Sequence, residues 1–174
     1  MRKTARLMNM PLAAAMLAIC FVTSAALSAP LWVQKGPAPA IKGQPENIPN
    51  SPIAGAIEAV VAHPTNADII WVGAVNGGIF KTTNATAGTP TWTPQTDAQS
   101  SMSIGALVLD PTDGTNNTLV AGIGRTSSYG FSGGSRAGLL RTTDGGTNWF
   151  NLTSLAGSNV VGLAARGSTI VAAV

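Results

Sequence analysis

The chain has 174 residues, 45% of them hydrophobic and only 10% charged, with 20 glycines and 11 prolines. That balance fits one turn-dense β domain and argues against a helical bundle, whose helices need charged outer faces. The formal net charge of +3 comes from Arg2, Lys3 and Arg6; the other seven basic residues offset all seven acidic ones, which removes the electrostatic case for nucleic acid.

Met1 to Asn9 is a positively charged start, Leu12 to Val22 an apolar run, and Thr23 to Ala29 a stretch of small residues. This is a secretory signal-peptide pattern, predicted over residues 1–29, and it implies a periplasmic or extracellular protein. Cleavage after Ser28 would place Ala26 at the third position before the cut. A retained membrane anchor is the alternative, opposed by Pro11 and by the Ser/Thr content of the run. The single cysteine, Cys20, lies in the same leader. As a lipid-acylation site it would want a small residue before it, where Ile19 stands. The mature chain then has no disulfide, thiolate metal site or cysteine nucleophile.

Residues 30–54 follow as a Pro/Gly-rich lead-in. Leu31-Trp32-Val33-Gln34 is a short strand candidate, but Gly36-Pro37-Ala38-Pro39 and Gly43-Gln44-Pro45 exclude a helix or a central strand. Two readings stand: an extended segment lying along the first repeat, or a linker without fixed structure.

A period then begins. Ala56 to Ala62 is an apolar strand ending in the turn His63-Pro64-Thr65-Asn66, and Ile69 to Gly73 is a second strand. Asn76-Gly77-Gly78 leads into a third, Ile79 to Thr83, and Thr91 to Thr93 is a fourth. The order recurs with Ser103 to Leu109, the turn at Asp110-Pro111, Leu119 to Gly122, and a hairpin around Asp144. A third cycle starts at Val160, turns at Arg166-Gly167-Ser168 and enters a strand at Thr169. His63-Pro64 and Asp110-Pro111 are 47 residues apart, and Trp92 and Trp149 are 57 apart, the excess falling mainly between Gly122 and Leu139.

Four short strands per unit of roughly 45 residues mark a β-propeller blade. The expected fold is therefore all-β, a propeller of four-stranded antiparallel blades. Blade one is expected at about 55–94, blade two at about 103–152, and the start of a third at about 159–174. Such rings close with about four to eight blades. Two and a half would leave apolar faces bare, so the sequence reads as the N-terminal part of a longer protein. Assembly of several copies into a ring is the alternative.

The hairpin Ala137 to Leu152, AGLLRTTDGGTNWFNL, anchors the second unit. Thr142 and Asp144 carry short oxygens for turn amides, Gly145 and Gly146 accept positive φ, and Trp149 covers the hairpin. An earlier copy runs Gly-Ile-Phe-Lys-Thr-Thr-Asn from Gly78 and then Thr91-Trp92, with Asn84 in the place of Asp144 and three more residues before the tryptophan. Thr142, Asp144, Gly146 and Trp149 resemble the Asp-box, the bacterial neuraminidase repeat, with Asn148 in place of its second threonine. Thr82, Thr91 and Trp92 match it in the first copy, Asn84 replacing the acid. The resemblance implies a structural hairpin between the two outer strands of a blade, away from any catalytic centre. Sialidases, xyloglucanases and sortilin-type receptors share it, so it implies a propeller without choosing its chemistry.

The enlarged connection from Ile123 to Gly138 is the best binding candidate. It should emerge on the face that carries the blade-to-blade links, where propeller ligands commonly sit. It offers Arg125, Tyr129, Phe131 and Arg136 among glycines and serines. Arginine binds carboxylates in a bidentate way, and aromatics stack on sugar rings. The bland alternative is a solvated loop. Asp110, Asp113, Asn116 and Asn117 cluster, but their spacing is not an EF-hand's, and Asp-Pro-x-Asp-Gly is turn chemistry in itself. No metal or cofactor is expected. His63 reads as structural, and the tryptophans Trp32, Trp71, Trp92 and Trp149 read as packing in preference to a sugar platform.

Two functions remain: a non-catalytic module binding a polysaccharide or an extracellular protein, or the N-terminal part of a glycoside hydrolase. The xyloglucanase resemblance breaks at Gly73-Ala74-Val75-Asn76-Gly77-Gly78, where Val75 stands at the catalytic aspartate's place. The early arginine of sialidases is also missing, since no arginine lies between Arg6 and Arg125. The binding module is the favoured reading. No catalytic residue is assigned, and no membrane partner is expected beyond the leader.

Overall fold

The computed structural model describes residues 33, 35–37, 56–124 and 135–174. The expected leader with Cys20, most of the lead-in with Trp32, and Arg125, Tyr129 and Phe131 lie outside the described residues. By internal contacts the chain divides into Met1–Val33 and Gln34–Val174. The first unit contributes one described residue, the exposed Val33; everything below concerns the second.

The described chain is all-β. Strands β1 (Ala56–Ala62), β2 (Ile70–Val75), β3 (Gly78–Thr82) and β4 (Thr93–Pro94) form one antiparallel sheet in sequential order. Strands β5 (Ile104–Leu109), β6 (Leu119–Ile123), β7 (Leu139–Thr142) and β8 (Phe150–Leu152) form a second in the same order. Strands β9 (Gly162–Arg166) and β10 (Thr169–Ala173) pair antiparallel as a third. The helical content among the described residues is one short 3-10 turn, Thr153–Leu155. The first strand of each sheet packs against the sheet before it: β5 on β1 and β2, and β9 on β5 and β6. Successive meanders stacked through their first strands make a partial β-propeller.

The packing follows from alternation along the central strands. In β2, Trp71, Gly73 and Val75 point to one face, and Val72 and Ala74 to the other. The main core lies between the first two sheets, where Trp71 and Ile79 meet Ile104, Leu119, Ala121, Ile123 and Leu140. Both faces of β2 are buried, since Val72, Ala74 and Phe80 form a second cluster with Ile70 and Trp92. This explains why the central strands read as continuous apolar runs. Pro94 sits in the two-residue outer strand β4, where a missing amide donor is tolerated.

The repeat extends to irregularities. A register shift falls between Ile57 and Ala59 in β1 and between Ile104 and Ala106 in β5. The two bulges are 47 residues apart, the spacing of the His63 and Asp110 turns. A glycine seam recurs as well. A Cβ on Gly73 of β2 would lie 2.5 Å from Cγ2 of Ile104, and one on Gly122 of β6 would lie 2.6 Å from Cγ1 of Val160. Each glycine admits the first apolar side chain of the following repeat into the middle of its own sheet.

Candidate ligand-binding face and the hairpin clamp

The hairpin around Asp144 is held by a closed set of hydrogen bonds. The Thr142 hydroxyl donates to Asp144 Oδ1 at 2.7 Å and accepts from the amides of Asp144 at 3.3 Å and Gly146 at 3.0 Å. Asp144 Oδ1 also accepts from the Asn148 amide at 2.9 Å, and Oδ2 from Asn148 Nδ2 at 2.7 Å. Gly145 and Gly146 have φ of 71° and 102°, which suits glycine at this bend. The Asn148 amide, with the Asn148 side chain and Thr142 behind it, draws the Asp144 carboxyl down to about 2. Trp149 follows, 7% exposed.

The first hairpin reproduces the core of this arrangement without an acid. The Thr82 hydroxyl donates to Asn84 Oδ1 at 2.9 Å and accepts from the Asn84 amide at 3.3 Å. The Thr91 amide donates to the same Oδ1 at 2.8 Å, as the Asn148 amide does to Asp144. Thr91 therefore fills the place of Asn148, and the longer turn is accommodated before it. Trp92 is half-buried, and its indole donates to the Lys35 carbonyl at 2.8 Å.

The second hairpin also clamps the first sheet. The Gly145 carbonyl accepts from Trp71 Nε1 at 3.0 Å and from Lys81 Nζ at 2.9 Å. The Lys81 ammonium stands 5.2 Å from the centre of the Trp71 ring. Burial pushes the Lys81 pKa down, and the Asp144 charge partly restores it. Sequence reading missed this junction. The one signal available was a basic residue before the threonine in both copies, Lys81 and Arg141.

At the other end of the strands, the connections between sheets meet the β2–β3 and β6–β7 connections. The Gly78 amide donates to the Met102 carbonyl at 2.9 Å, and the Gly124 amide to the Ser103 carbonyl at 2.9 Å. The Ser103 hydroxyl donates to Oδ1 of Asn76, which turns the chain with φ of 59°. The Ser135 hydroxyl donates to the Ser100 carbonyl at 3.2 Å. Arg136 is exposed, its carbonyl accepting from the Gly157 amide at 2.9 Å and its guanidinium donating to the Gly157 carbonyl at 3.4 Å. Both roots of the enlarged connection thus sit among the inter-sheet links. Of its four expected binding residues, Arg136 alone is among the described residues.

Two other expected readings rest on local geometry. His63 Nδ1 accepts from the amides of Thr65 and Asn66 at 3.3 and 3.2 Å, and the ring stacks on Trp71 with centroids 6.2 Å apart. Asp110 occupies the matching turn and accepts from the Thr112 amide at 2.9 Å. Asp113 binds the Thr115 hydroxyl and the amides of Thr115, Asn117 and Thr118. The acidic turn therefore spends its oxygens on its own backbone and hydroxyls. Trp71 and Trp149 are both buried, which makes them packing residues.

Fold and site together define a partial β-propeller whose hairpins are locked by threonine–carboxylate or threonine–carboxamide turns. No protein-family model and no curated protein matches the sequence. Among solved structures the chain is similar to the crystal structure of an ancestral GH74 enzyme, with a TM-score of 0.49 and 17% identity over 79% of this chain. The chain spans 14% of the length of that structure.

Proposed function

We propose that this chain is part of a secreted, non-catalytic propeller of the Asp-box type that binds a polysaccharide or an extracellular protein. The observation that carries this reading is the shared end of the sheets. There the roots of the β6–β7 connection, Gly124 and Ser135, bond to the link that joins the two four-stranded sheets, and Arg136 is presented to solvent beside them. The sequence of that connection carries two arginines and two aromatics, a composition that suits a ligand rich in hydroxyls or carboxylates. Val75, at the place an acid would take in a xyloglucanase-like enzyme, is an apolar side chain only 2% exposed. That supports binding over hydrolysis. The Thr142–Asp144–Asn148 bonding supports the structural role of the box.

The test belongs in the full-length protein. Deleting Ser127 to Ser135 is expected to weaken binding on a glycan and secreted-protein screen several-fold, with the melting temperature nearly constant, because a connection outside the strands contributes little to the core. Unchanged binding would overturn the assignment, and glycan hydrolysis that survives purification would favour the enzyme. Residues 1–29 fused to a reporter active only after export should yield activity outside the cytoplasm.

A further inference from the structure

We infer that the cleft between the two hairpins is a separate binding site, for a saccharide unit that carries one carboxylate. The cleft has a volume of about 460 Å³ and is lined by Lys81, Asn84, Thr91, Thr93, Gln95 and Thr147 among others. That size is within the range of small-molecule sites, roughly 300–1,000 Å³. It lies at the opposite end of the strands from the β6–β7 connection, since Lys81 pairs with Trp71 near the start of β2 and with Thr93 in β4. The proposal is therefore independent of the function assigned above.

The lining chemistry selects the ligand class. Among the described residues, Lys81 is the one charged side chain lining the cleft. Its ammonium is fixed in place by the Gly145 carbonyl and the Trp71 ring. One of its three protons is used by that carbonyl, leaving donors for a carboxylate. Asp144 is the anionic group that acts on it, but both Asp144 oxygens are already held by Thr142 and Asn148. The remaining liners are neutral and of mixed polarity. Gln95 spends its Nε2 on the carbonyls of Thr93 and Pro94, which leaves its oxygen as an acceptor. Asn84 spends its oxygen on Thr82 and Thr91, which leaves its NH₂ as a donor. Thr83, Thr91, Thr93 and Thr147 complete the wall, each carrying a hydroxyl, of which that of Thr147 donates to the Asp144 carbonyl at 3.3 Å. Sugar hydroxyls both donate and accept, so a lining that holds both donors and acceptors beside a cation matches an acidic sugar better than a neutral one or a bare anion.

Calorimetric or NMR titration of the full chain with glucuronic acid, glucose and acetate tests this. Glucuronic acid should bind about tenfold more tightly than either control, a difference near 1.4 kcal/mol. Lys81→Gln should remove most of that preference. Thr93→Val keeps the shape of an exposed outer-strand residue and should weaken binding several-fold at an unchanged melting temperature. Deleting Ser127 to Ser135 should leave glucuronic acid binding intact, which separates this site from the other one. Equal binding of glucose or acetate, or full affinity in both Lys81→Gln and Thr93→Val, would overturn the inference.

Discussion

Asp144 concentrates the chemistry of its hairpin in one carboxylate that receives a hydroxyl, an amide and a carboxamide. Asp144→Ala removes all three acceptors and is expected to cost about 1–2 kcal/mol in urea unfolding. Asp144→Asn should cost less. Asn84 already accepts the same hydroxyl and amide contacts in the first hairpin, and only the Asn148 Nδ2 bond would face a donor. The carboxyl is drawn from 3.8 to about 2 by folding. A lowered folded-state value contributes stability that is present above pH ~4 and lost as the pH falls through 2. The acid limb of the unfolding curve in that window should therefore be shallower in Asp144→Asn than in the native protein. An identical limb would mean that the hairpin is not sensed by acid.

At the scale of elements, the seam between sheets depends on two glycines chosen for their missing side chain, not for unusual φ. Gly73→Ala would drive a Cβ to 2.5 Å from Ile104, and overpacking of this kind costs about 1–3 kcal/mol. Ile104→Ala in the same chain should recover part of that cost, giving non-additive unfolding energies in a double-mutant cycle. Gly88→Ala is the control: a Cβ there meets nothing within 4 Å, and the change should stay within about 0.5 kcal/mol. Additive Gly73 and Ile104 effects would mean that the sheets part easily at this point.

For the whole molecule, burial is graded across each sheet. β2 and β6 are paired on both sides and buried almost throughout, while β4, β8 and β10 are mostly exposed. Native-state hydrogen exchange should follow that gradient, slowest in β2 and β6 and fastest in β8 and β10, because local opening is easiest where few apolar contacts oppose it. Protection of β10 equal to that of β6 would show that its free edge and the exposed Val171 and Val174 are covered in solution.

The repeat, the strand order and the two hairpins were legible because each has a local cause. Short apolar runs bounded by turn residues specify strands, Thr-Thr-Asp-Gly-Gly specifies its own turn, and the His63 and Asp110 turns recur at a fixed offset. Those causes act between near neighbours in the chain. Boundaries were less legible: the fourth strand forms at Thr93–Pro94 and not at Thr91 to Thr93, since the Thr91 amide is taken by Asn84. The clamp of Gly145 by Trp71 and Lys81, the cleft beside it and the paired roles of Gly73 with Ile104 and Gly122 with Val160 were decided by the tertiary structure alone. Gly145 is separated from Trp71 by 74 residues and from Lys81 by 64. No propensity or spacing rule encodes a carbonyl of one turn meeting an indole and an ammonium of the preceding sheet, because that contact exists only once two finished sheets are stacked.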